Sequence, residues 1–177
     1  MTSQPRPHRP VVRDPEALEA LGDRHDPVEA LHAAHESAAV LLRAGRAAED
    51  LTVTDRLIDL VAEIGLGTLA ELWADRPARS LPGALWRLYA VREWVAAHPE
   101  EAARDYAAGI RFTEPNHVVA GVEPTGPEEV RRVADAILAG VFTGDFAVAL
   151  ERAAAFCHVV AAGRADIAPG LAGVKRA

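Results

Sequence analysis

Apolar residues recur at steps of three and four through most of this chain, which is the spacing of one face of an α-helix. The clearest run is 127–142, where Val130, Val133, Ala134, Ile137, Leu138 and Val141 share a face. A second run, 145–163, places Phe146, Ala149, Leu150, Ala153, Phe156, Cys157 and Val160 together. Only Thr143-Gly144 joins the two, so they are expected to pack as an antiparallel hairpin, with alanines on the facing positions letting the axes approach. The same spacing predicts a helix over 81–97 (Leu81, Ala84, Leu85, Leu88, Val91, Val95) and one over 54–64 (Leu57, Leu60, Val61, Ile64) closed by Gly65. A helix over 67–74 would turn Leu69, Leu72 and Trp73 inward. A helix over 27–46 would turn Val28, Leu31, His35, Ala39 and Leu42 inward.

Four marks of punctuation support these elements: Asp14-Pro15-Glu16, Asp26-Pro27-Val28-Glu29, His98-Pro99-Glu100-Glu101 and Gly126-Pro127-Glu128-Glu129. Proline suits a first helical position, because its missing N–H has no helical partner there and its φ is already helical. The acids that follow complement the positive end of the helix dipole. Two further helices follow from them, a short one over 15–22 and one over 99–108, the latter ended by Gly109. No segment sustains a period of two, and Val11-Val12 and Val118-Val119 are too brief to build a sheet. The expected fold class is all-α: a single-domain helical bundle of about seven or eight helices ending in an antiparallel helical hairpin. Its domain spans 14–165, between a disordered basic arm at 1–13 and a flexible tail at 166–177.

Composition changes this picture little. The chain has 177 residues, half of them hydrophobic and a quarter charged, as in ordinary soluble domains. Its net charge of −7 is uneven: +3 over residues 1–13, −8 over 14–65, −2 over 66–126 and zero beyond. An acidic N-terminal half repels phosphate backbones, so nucleic-acid binding is not expected. A helix-turn-helix at Ile64-Gly65-Leu66 has the right turn, but its second helix carries Glu71 and Asp75 and no base to meet DNA. The single cysteine, Cys157, excludes an intramolecular disulfide, and with no signal-like opening it suggests a cytoplasmic protein. The longest charge-free stretch near the C-terminus, Ala153 to Gly163, is too short to span a bilayer, so no membrane association is expected.

Three groups of residues could carry a function. Trp86, Arg87, Tyr89, Arg92, Glu93 and Trp94 fall within nine residues, and all tryptophans and tyrosines lie between 73 and 106. Trp, Tyr and Arg anchor interfaces. Trp86, Arg87, Tyr89 and Trp94 are therefore candidates for an interaction surface, the alternative being a helix wrapped by its own protein. Arg92 shares the apolar face and needs a carboxylate or a route to solvent. The segment 110–126 is long for a loop and holds Arg111, Glu114, Asn116 and His117, candidates for a ligand site in which Glu114 and His117 could work as an acid/base pair. The alternative is a connector whose valines plug the core. Finally, His32, His35 and Glu36 lie close together on the helix 27–46 and could bind metal with help from His117 or His158, although the second Glu-x-x-His of a di-metal bundle is missing. Otherwise they are a packed histidine and its boundary neighbours.

Cys157, on the inner face of its helix, reads as a small core residue. There is no Gly-rich phosphate loop, Gly-x-Ser-x-Gly elbow or His-Glu-x-x-His, and no cofactor is expected. The sequence thus points to a non-enzymatic interaction or regulatory module with a protein partner, most simply itself as a homodimer. The alternative is a small-molecule-binding or metal-dependent enzyme with a site between the helix 27–46 and the loop 110–126.

Overall fold

In the computed structural model, residues 26–47, 51–113, 118–120 and 126–174 are described, with side chains to residue 167. The basic arm, the expected helix 15–22, Glu114, Asn116 and His117 lie outside the described residues. What is described is all-α, with no strand. Helices α1 (Pro27–Ala47), α2 (Leu51–Ile58), α3 (Leu60–Ile64), α4 (Leu66–Trp73), α5 (Leu81–Ala97), α6 (Pro99–Gly109), α7 (Pro127–Thr143) and α8 (Phe146–Val174) follow in order. A 3-10 turn, Ile110–Phe112, extends α6, and 118–120 form one helical turn.

The prolines at 27, 99 and 127 each open a helix, as the punctuation predicts. Ser80 caps α5, its Oγ accepting from the Gly83 N–H at 3.2 Å. Gly65 closes α3 with φ +82°, in the left-handed region that favours glycine, and its N–H donates to the Val61 carbonyl at 2.8 Å. The predicted helix 54–64 is in fact two, broken at Asp59. The last helix does not stop at Gly163 but continues to Val174.

Helix α7 sits at the centre and touches α1, α2, α5, α6 and α8. Its predicted face is the core: Val130, Val133, Ala134, Ile137, Leu138 and Val141 are all buried. The expected hairpin is not the dominant packing. Helices α7 and α8 do touch, but α8 lies chiefly along α6. Glycines make that contact possible. A Cβ at Gly163 would stand 2.6 Å from the Gly109 nitrogen and closer still to the Asp105 carbonyl oxygen, and one at Gly109 would strike the Val159 carbonyl oxygen. The two backbones are in direct contact.

Helix α1 presents a different face from the one expected. Val28 is 58% and Leu31 41% exposed, and His35 faces solvent. The buried positions are Ala34, Ala38 and Gly45. Small residues win because α1 lies close on its neighbours, with Gly45 directly against the Phe142 ring. Ile64 and Leu72, both expected inside, are also exposed.

Arg92 finds the carboxylates its apolar position demands. Its guanidinium donates to Asp135 at 2.9 Å, Glu93 at 2.7 Å and Asp59 at 2.9 Å, tying α5 to α7 and to the α2–α3 break. Burial pulls its pKa down, but the hydrogen bonds to Asp135 and Glu93 outweigh that and the net shift is upward. Arg92→Met should cost about 2 kcal/mol in urea titration, a figure below that for a fully buried pair because the carboxylates are partly solvated. A loss below about 0.5 kcal/mol would show the cluster to be a surface decoration.

Candidate functional site: an apolar trough between α5 and α8

Because α8 leans on α6, it stands away from α5, and an open trough runs between them. One section, about 520 Å³, is lined by Val91 and Trp94 from α5 and by Phe156, Cys157, Val160 and Ala161 from α8. A second section, about 200 Å³, shares Val91 and Cys157 and extends along Leu88 and Leu150 toward Ala78. Arg164 closes one end. Its guanidinium lies 5.1 Å from the Trp94 ring centroid, a cation–π distance, while Nε donates to Asp105 at 2.9 Å and an Nη donates to Glu101 at 2.9 Å. Asp105 is buried and accepts from Arg104 as well, at 3.2 Å. The end wall is therefore fixed by charge pairing, and the floor by Phe156 stacked on Tyr106 at 5.3 Å.

Cys157 is exposed in this trough, not in the core. Phe156 and Val160 turn inward, and one residue's 100° rotation carries the thiol onto the open side. Desolvation by its apolar surroundings pushes the thiol pKa up. At neutral pH it is a protonated, weakly polar surface group rather than a thiolate.

The aromatic candidates of α5 separate. Trp94 lines the trough. Trp86 is half-buried against the core, and Arg87, exposed, donates to the Gly83 carbonyl at 2.7 Å. Tyr89 is fully buried and donates its O–H to the Leu57 carbonyl. Burial pushes its phenol pKa up, a shift that Arg92 partly offsets. Tyr89 thus serves the core.

The other candidates do not meet. Arg111 is exposed, paired with Asp166 at 2.8 Å and set over Phe112. Val118 and Val119 do not plug the core; both are exposed, and Ala120 is the buried residue, its carbonyl accepting from Arg152 at 3.4 Å. His32, His35 and Glu36 face solvent on α1, and among the described residues no three His, Cys, Asp or Glu side chains gather to hold a metal ion. Helix α1 packs on α2, α4, α5 and α7, whereas the 3-10 turn after α6 packs on α6 and α8.

No protein family, curated protein or solved structure matches this chain. The trough therefore carries the functional reading unaided. The sequence missed it because its two walls come from helices with 48 residues between them, 98–145. One signal was available: within Phe146–Ile167 an 18-residue stretch has a mean hydropathy of 1.4, long and apolar enough by length and composition to cross a membrane, yet only 39% of that stretch is buried.

Proposed function

We propose that this protein is an interaction module that self-associates through the side of α8 that borders the trough. The observation that carries this reading is that α8 keeps apolar residues on the side its own fold leaves uncovered. Ala147, Ala154, Cys157 and Ala161 are exposed along it, and Val91 and Trp94 continue the apolar surface onto α5. Large contiguous apolar patches on soluble proteins mark interaction sites. A long trough with an aromatic residue at one end and an apolar floor suits a helix laid into it.

Sedimentation velocity over a micromolar concentration series tests this. The wild type should sediment as a dimer that dissociates on dilution. Ala161→Arg, which places a charge on the exposed wall, should sediment as a monomer with unchanged helical circular dichroism. A wild type that stays monomeric throughout would overturn the reading.

A further inference from the structure

We infer that two copies pair by laying their α8 helices antiparallel, crossing near Ala154, so that Glu151 of each copy meets His158 of the other. This rests on the self-association reading and specifies its geometry. Along the uncovered side of α8, Ala147, Leu150, Ala154, Cys157 and Ala161 follow steps of three and four, the seam that a second helix fills. Ala147, Ala154 and Ala161 recur every seventh residue and let two axes come within about 8 Å.

Polar pairing decides the orientation, since an imidazole N–H can donate to a carboxylate. Glu151 and His158 are both exposed on the same edge of this seam, and neither has an ion-pair partner among the described residues. Seven residues apart, they stand about 10 Å from one another along one helix, too far to pair within the chain. A parallel two-fold pair would set the Glu151 edge of each copy against the opposite edge of the other, where Phe146 and Ala153 offer Glu151 and His158 no polar partner. An antiparallel pair with its axis midway between positions 151 and 158 sets Glu151 against His158 twice. That midpoint falls at Ala154, where the side chains are smallest. Val119, exposed beside Glu151 and His158 in a shallow recess, adds apolar cover at the same edge.

The sole cysteine supplies a reporter, because any thiol cross-link must join Cys157 to Cys157. In this arrangement the two thiols are offset by about 7–8 Å along the axis, within reach of a short bis-maleimide. The experiment uses the full chain. Dimer affinity is measured for wild type, Glu151→Lys, His158→Glu and the double variant, with bis-maleimide cross-linking alongside and flotation with phosphatidylcholine–phosphatidylglycerol vesicles as a separate arm. Each single variant should weaken the dimer about tenfold, since each spoils two symmetric contacts, and the double variant should return to within about threefold of wild type. A cross-linkable dimer indifferent to both single changes would overturn the antiparallel pairing and leave self-association standing. A monomer that does not cross-link would overturn both. Vesicle flotation of a monomer would replace the second copy with a lipid surface and overturn the pairing as well.

Discussion

Gly163→Ala is expected to lower the melting temperature by roughly 6–12 °C, the equivalent of about 3 kcal/mol in a domain of this size. Ordinarily glycine to alanine inside a helix stabilises by up to about 1 kcal/mol. Here the added methyl would enter the backbone of α6, 2.6 Å from the Gly109 nitrogen and 2.8 Å from the Asp105 carbonyl carbon. No rotamer relieves such a contact, so α8 must move away and uncover Phe156 and Val159, both fully buried. Gly140→Ala is the internal control. A Cβ there meets the Ala149 methyl at 3.7 Å, an ordinary contact, so the usual propensity gain should appear as a small rise in melting temperature. Thermal unfolding followed by circular dichroism separates the two. Equal and small effects at both sites would mean that α6 and α8 do not approach as closely as described.

The same contact shows where the sequence could and could not be followed. Helix starts were legible at Pro27, Pro99 and Pro127, because proline followed by acids is a local signal that needs no tertiary context. The core face of α7 was legible too, since six branched or aliphatic side chains fall on one stripe. Gly163 was misleading, and Gly109 told only half of its role. A glycine near the end of a helical pattern reads as a stop, and at Gly109 it is one, but both are also the crossing point of α6 and α8. Whether a glycine ends a helix or admits another backbone depends on what lies opposite, which periodicity does not record. Helix α1 misled for a related reason. Its larger apolar residues, Val28 and Leu31, predicted the inner face, while Ala34, Ala38 and Gly45 form it. Where axes come close, small residues are the core.

The trough was half legible. The concentration of aromatic residues between 73 and 106 had two readings, a helix wrapped by its own protein or an exposed aromatic strip, and α5 turns out to divide them. Tyr89 is internal and Trp94 lies at the surface of the trough. Nothing local distinguishes these positions, which are five residues apart. The distinction arises because α4 covers one side of α5 while α8, drawn to α6, leaves the other open.

Trp73→Ala should be the most damaging truncation in the α1–α4–α5 half, costing about 3–5 kcal/mol. Trp73 is fully buried, its ring 6.4 Å from that of Tyr89, and its Nε1–H donates to Ser37 Oγ at 3.1 Å. It therefore joins the last turn of α4 to both α1 and α5. Removal leaves a cavity that neighbouring short side chains such as Ala34 and Ala38 cannot fill. Trp73→Phe keeps most of the packing and forfeits only a hydrogen bond whose acceptor, Ser37, is half-solvated, so it should cost about 1 kcal/mol beyond the smaller ring. Urea titration gives both magnitudes, and amide exchange gives the location. Protection should fall first in α1 and α4, while α6 and α8, which pack chiefly on each other and on α7, keep theirs until global unfolding. Uniform loss of protection would show that the two halves unfold as one unit, and the proposed pairing through α8 would then be lost together with Trp73.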